Sequence, residues 1–363
     1  MMRLIGLGEG LLKSISHFSM NMGEHTRVVK WLLEPGHPWV RYNTLDQLLE
    51  KKNEASEALA KAMLSPPASK ILDHVDADGG FSDAAAAKKW GEAAVRSGYV
   101  PKYRGAAWKL LFLAELGADP SHPKVKSLGE GILKNAFSER HGTFYIPLEY
   151  GGYPEYTLIP CFMGNMIWAL TRLGLGTRPE VRSTFDWLTK YQRFDDGDWR
   201  PPTESPYRGS RDRCWGKHTC YWGVTSFLRA MTVAPKGFWT PQAYESKRRG
   251  VDFILSHRLL WSSHTPDRPI ATKNTRPQRL TAPQTYYQDA VEITETMLRL
   301  GEHGEAVNEA IEYILSKRNT EDRWCLENSP GPLDAPFDVK ERESKWITFR
   351  ALRMLKLAGK LDL

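Results

Sequence analysis

The sequence predicts an all-α chain whose helical hairpins close into an α/α toroid, with about six inner and about five or six outer helices. Three observations predict it. An eight-residue turn recurs along the chain, helix-period apolar segments lie between its copies, and the last apolar segment is as hydrophobic as the middle ones.

The turn is a polar or aromatic residue, four spacers, usually glycine, any residue, then an aromatic. It reads His74 to Phe81 with Gly79, Phe137 to Phe144 with Gly142, Gln192 to Trp199 with Gly197, and Lys317 to Trp324 with Asp322 in the glycine position. The closing aromatics are spaced by roughly 60 residues, then by roughly twice that, which leaves room for one degenerate copy. Between the turns, Trp39 to Leu49, Trp108 to Gly117, Met166 to Gly174, Gly223 to Met231, Asp289 to Gly301 and Trp346 to Gly359 carry the apolar period of inner helices. Gly117, Gly174, Gly301 and Gly359 read as C-terminal caps, where a left-handed residue ends a helix without a Cβ clash. Amphipathic segments such as Pro179 to Tyr191 and Gly304 to Lys317 supply outer helices, and no alternating strand pattern competes. In an open array the terminal repeat should turn polar; Trp346 to Leu352 stays apolar, which favours closure. Residues 1–35 read as an N-terminal segment, an outer helix or an extension, and residues 36–363 as a single toroid domain.

Composition narrows the function. With 363 residues, 41% apolar residues and thirteen tryptophans, the chain can bury a substantial core. No run approaches the ~20 apolar residues that span a bilayer, and no signal peptide is evident, so the expectation is a cytoplasmic protein. Four cysteines in a chain of this size do not make a disulfide framework. The net charge of +7 is scattered over the sequence, which reads as a solvated surface rather than a nucleic-acid arm. Anionic substrates such as diphosphates suit the same charge.

Cys161, Cys214 and Cys220 fall near starts of inner helices, with His218 among them. Thiolate and imidazole are the ligands zinc prefers, so this cluster is the candidate metal site and Zn2+ the candidate cofactor. The competing reading is three small core residues and a hydrogen-bonded histidine. Tyr156, Trp215, Tyr221 and Tyr287, at or near helix starts, are the expected cavity aromatics, with Lys217 beside them for an anionic group. Asp289, opening the fifth inner helix, is either a catalytic acid with a raised pKa or a carboxylate at the positive end of a helix. Asp195 and Asp196 lie inside a repeat turn, where carboxylates usually cap backbone amides. Residues 263–283, rich in Pro, Arg and Thr, read as a loop covering a cavity mouth.

Gln192 to Trp199 resembles the glutamine–tryptophan repeat of squalene and oxidosqualene cyclases, and His218-Thr219-Cys220-Tyr221 resembles the zinc-histidine segment of protein prenyltransferase β subunits. The repeat covers the chain from about Trp39 onward, while the second match is four residues long. The resemblance to this terpenoid cyclase and prenyltransferase superfamily implies a central cavity lined by inner helices. In the prenyltransferases, an Asp-x-Cys pair and a histidine on successive repeats bind zinc. Carried over, Cys161 takes the cysteine position and His218 the histidine position, but the aspartate position is Ile159. Cys214, Cys220, Glu155 and Asp289 are the substitutes at hand. The cyclases' Asp-x-Asp-Asp motif and the Asp-Asp-x-x-Asp motif are both missing.

The leading expectation is therefore an enzyme acting on an isoprenoid or similarly hydrophobic substrate in a central cavity. The alternatives are a hydrophobic-ligand-binding toroid without catalysis, a carbohydrate-active (α/α) barrel, and a nucleic-acid-binding helical repeat.

Overall fold

The computed structural model describes residues 22–147, 158–197, 199, 200, 202, 207, 212–265, 267–270 and 276–361. Along them the chain forms α1 (Met22–Leu32), α2 (Pro38–Asn43) running into a π-helical turn (Thr44–Leu48), α3 (Lys52–Met63), α4 (Ala68–Asp73), α5 (Ala84–Trp90), α6 (Glu92–Arg96), α7 (Ala106–Leu116) and α8 (Pro123–Ala136). Then come α9 (Pro160–Arg172), α10 (Pro179–Tyr191), α11 (Asp212–Trp215), α12 (Tyr221–Met231), α13 (Pro241–Ser256), α14 (Ala290–Arg299), α15 (Glu305–Leu315) and α16 (Lys345–Leu357). A short hairpin, β1 (Phe137–Ser138) with β2 (Thr143–Phe144), sits in one repeat turn. The fold is all-α, as the periodicity predicts, and no described helix is long and apolar enough to cross a membrane.

Local chemistry sets the helix ends. Proline opens α2, α8, α9, α10 and α13, where its missing N–H costs no hydrogen bond. Thr240, Asp289 and Ser344 cap α13, α14 and α16 by accepting from the amides of Ala243, Glu292 and Ile347. In the repeat turns Gly79, Gly142 and Gly197 all take positive φ, and Asp322 does the same at +59°. Aspartate is one of the few residues besides glycine that tolerates that region, which explains how the fourth copy keeps its shape.

Burial separates the helices into two kinds. Every residue of α7 is buried, and α9, α12, α14 and α16 are buried on almost all sides. An all-round apolar helix is what a core position demands. By contrast α8, α10, α13 and α15 bury one face only. The core helices neighbour one another in order, α7 on α9, α9 on α12, α12 on α14 and α14 on α16. From α16 the contacts pass to α2 and its π-helical turn, and Asn43 Nδ2 donates to the Leu116 carbonyl at the end of α7. The α9–α12 approach is the tightest: a Cβ on Gly164 would meet the Ser226 carbonyl oxygen at 2.5 Å. Helix α1 packs outside α16, where Lys345 Nζ donates to the Trp31 carbonyl at 2.6 Å. Residues 1–21 of the expected N-terminal segment lie outside the described residues.

Candidate metal centre

The repeat turn after α10 is held by one arginine. Arg193, buried, stacks its guanidinium 3.6 Å from the Trp199 ring centroid and donates to the Asp195 carboxylate at 2.7 and 3.1 Å. It also donates to the carbonyls of Gly216 and Lys217, and Thr219 donates to the Asp195 carbonyl. These bonds tie the turn to the segment before α12, so Asp196 and His218 meet.

Asp196 is the hub of a cluster of imidazoles. Its Oδ1 lies 2.9 Å from His218 Nδ1, and its Oδ2 lies 2.8 Å from His264 Nε2 and accepts from Ser263 Oγ at 3.0 Å. The ligand atoms of Asp196, His218 and His264 all lie within 4.8 Å of one another. A fourth group stands behind them: His257 Nε2 is 3.9 Å from Asp196 Oδ2, and its Nδ1 is 2.8 Å from the Phe253 carbonyl. Burial raises the Asp196 pKa, but hydrogen bonds from His218 and Ser263 outweigh it, so the carboxyl is held below its usual range and stays ionised. Burial pushes the His257 imidazole down, toward its neutral form. His218 and His264 are open to solvent, with 59% and 56% of their side-chain surface exposed, so a ligand can reach the cluster.

The cysteines take another place. Cys161 lies in the first turn of α9, Cys214 in α11 and Cys220 just before α12, and Cys220 neighbours the other two. The Cys214 thiol donates to Cys220, and that bond, helped by the amides of Gly223 and Trp222 at the start of α12, lowers the Cys220 pKa against burial. Burial first, and the neighbouring Cys220 second, raise that of Cys161. His218, expected to join these thiols, is drawn to Asp196 instead. Among the described residues, the groups whose ligand atoms stand close enough to share one ion are Asp196, His218 and His264, rather than the expected Cys161, Cys214, His218 and Cys220. The reason is the Arg193 clamp, which no local spacing reveals.

Other expected residues are also placed. Asp289 is fully buried and committed: it caps α14, accepts from Thr281 N at 2.8 Å, and pairs with Arg350 at 2.8 and 2.9 Å. Both carboxylate oxygens are thus engaged by backbone amides and the Arg350 guanidinium, the arrangement of a helix cap and buried ion pair. Trp215 is buried, its indole N–H donating to the Leu158 carbonyl at 3.1 Å. Tyr221 is buried and donates to the Leu259 carbonyl, and Lys217 is exposed. Tyr156 and Glu155 lie outside the described residues. Asp196, assigned by sequence to turn capping, and His257 and His264, not singled out at all, are what sequence reasoning missed. The signal was present in a weak form: one histidine, His264, inside the Pro-rich loop predicted to cover a mouth.

A run of rings links the cluster to the helix starts. Tyr221 lies 5.6 Å from His257 and 5.1 Å from Trp222, which meets Tyr287 at 5.4 Å. Tyr287 touches Tyr286 at 4.2 Å, and Tyr286 touches Trp108 at 5.8 Å. Lys102 Nζ donates to the Tyr286 hydroxyl at 3.0 Å. Beneath the rings is a narrow apolar cleft, about 210 Å³ counting the solvent space at its opening, lined by Trp108, Leu111, Phe162, Met166 and Tyr286 among others.

No family model matches the chain, and no curated protein matches it. Among solved structures, a glycosidase is similar to it with a TM-score of 0.34 and 9% identity, over 95% of this chain and 100% of the other. A likeness of that extent says nothing about activity.

Proposed function

We propose that this chain is an enzyme with Asp196, His218 and His264 as its reactive centre, taking a substrate whose apolar or ring-shaped face lies on the adjoining aromatic mouth. The succession of core helices from α2 round to α16 and back is read as the α/α toroid that presents this mouth. The observation that carries the proposal is the carboxylate between two solvent-reachable imidazoles, with a third imidazole turned toward it. The donor set suits a divalent ion such as zinc: ligands around one ion at ~2.0–2.2 Å bring donor atoms to roughly the separations found here. His257 Nδ1 on a backbone carbonyl leaves Nε2 facing the cluster, the orientation that metal-binding histidines take. Such an ion would supply Lewis acidity for hydrolysis or group transfer. The protein's own part is to keep Asp196 ionised, to orient it through Ser263, and to hold the His218 segment through Arg193.

The apolar cleft beneath the rings, about 210 Å³ counting the solvent space at its opening, is smaller than the ~300–1,000 Å³ of typical ligand pockets. A long isoprenoid inside the ring therefore fits poorly, and binding across the open mouth fits better. The polar rim formed by Lys102 and the Tyr286 hydroxyl favours a second reading, in which a hydroxylated ring such as a sugar stacks there.

The test is metal content after purification without chelator, for the natural chain, Asp196→Asn and His264→Ala. Stoichiometric metal lost in both variants supports the centre. A metal-free protein that also fails to take up added zinc removes it, and leaves a histidine–carboxylate hydrogen-bond cluster only.

A further inference from the structure

At the opposite ends of the core helices from the aromatic mouth, a second cavity of about 580 Å³, counting the solvent space at its opening, is lined largely by charge. Its inner layer has no cation to spare. Arg350 pairs with Asp289 at 2.8 Å and with Glu292 at 3.2 Å, and Arg229 Nε stands 2.5 Å from Glu292 Oε1 at an angle that falls short of a hydrogen bond. Glu115, which accepts from Trp346 Nε1 at 3.2 Å, also lines this layer, so two arginines meet three carboxylates. The outer layer is not balanced. Glu295, 7% exposed in its side chain, is shared between Arg299 at 2.8 Å and Arg353 at 2.9 Å. Arg172 stands 5.8 Å from the Trp168 ring and has no carboxylate within ion-pair distance among the described residues. Three guanidiniums therefore face one carboxylate, and over both layers five arginines meet the four carboxylates of Glu115, Asp289, Glu292 and Glu295, a surplus of one positive charge that falls at the solvent-reachable outer layer.

We propose that this cavity is an oxyanion site, built from Arg172, Arg299 and Arg353, that takes a phosphate-class dianion. Three planar forks from three different helices suit the oxygens of a tetrahedral dianion, and the Thr232 and Thr296 side chains also line the cavity. Loss of solvation in the surrounding protein first, and the neighbouring Arg353 and Arg299 after it, lower the Arg172 pKa. The C-terminal dipoles of α9, α12 and α14 offset part of the surplus. An arginine cluster serving those dipoles alone would bind no phosphate saturably, so the two roles are separable.

The test is calorimetric titration of the full chain with inorganic phosphate and with phenyl phosphate at constant ionic strength. Arg172→Gln, an exposed position, is the variant, and Arg299→Gln is the second should the first fail to fold. Saturable binding of inorganic phosphate, weakened about tenfold or more in the variant, supports a site for the free ion. Saturable binding of phenyl phosphate alone, weakened likewise, supports a site for a phosphate group on a larger ligand. Asp196→Asn should bind either one as the natural chain does, because that cluster lies before the start of α12, away from this cavity. Binding of neither compound, or binding that Arg172→Gln and Arg299→Gln leave unchanged, overturns the proposal and makes the cluster structural.

Discussion

Replacing Glu292 by glutamine tests whether the buried charges at the centre hold the core together. Its carboxylate lies between Arg229 at 2.5 Å and Arg350 at 3.2 Å, with 10% of the side chain exposed. Burial alone would raise its pKa, but Arg229, Arg350 and Arg353 outweigh that and push it from 4.5 to about 2. A depression of that size corresponds to about 3 kcal/mol of stability at neutral pH. The cost of removing one partner from a buried ion pair, roughly 3–5 kcal/mol, agrees. Because the folded pKa is below the unfolded one, this contribution is complete above pH 4.5 and is lost as the pH falls toward 2. Urea unfolding at pH 7 should therefore show Glu292→Gln less stable by about 3 kcal/mol, with the gap to the natural chain narrowing below pH 4.5. A variant within about 1 kcal/mol of the natural chain at pH 7 would refute the reasoning, since surface pairs contribute that little. So would a gap that stays constant down to pH 3.

On the proposed metal centre, chelator should lower the melting temperature of the natural chain and leave that of His264→Ala unchanged, because only the first would have bound metal to lose. Gly164→Ala should destabilise by about 2 kcal/mol or more, because its Cβ would stand 2.5 Å from the Ser226 oxygen of α12 and the helices must part; a thermal melt matching the natural chain would contradict the close approach. With iodoacetamide at mildly alkaline pH, peptide mass mapping should find Cys220 modified before Cys161. Burial holds the Cys161 thiol protonated, while the Cys214 hydrogen bond favours the Cys220 thiolate.

Much of the architecture was legible because it is written in short-range chemistry. The outer helix expected over Pro179 to Tyr191 is α10 with those bounds, since proline starts it and an amphipathic period runs its length. Gly117 ends α7 in the left-handed region at φ 74°, as a C-terminal cap should. The repeat turns kept their positive φ even where aspartate replaced glycine. The site was much less legible. Its helix-start aromatics could be seen, but Asp196 looked like a capping residue, and neither His257 at the end of α13 nor His264 in the loop stood at a metal-ligand spacing.

The sequence by itself determined that the chain is helical, where its repeat turns lie, and which helices are apolar enough to be buried. These follow from propensity, periodicity and capping, which act over a few residues. Tertiary structure alone decided which charged and polar groups meet. His218 faces Asp196 rather than the thiols, Asp289 faces Arg350 from 61 residues away, and Trp346 donates to Glu115 across 231 residues. The physical reason is that a buried polar group must find a partner wherever packing brings one, and packing of distant helices leaves no local trace in the sequence.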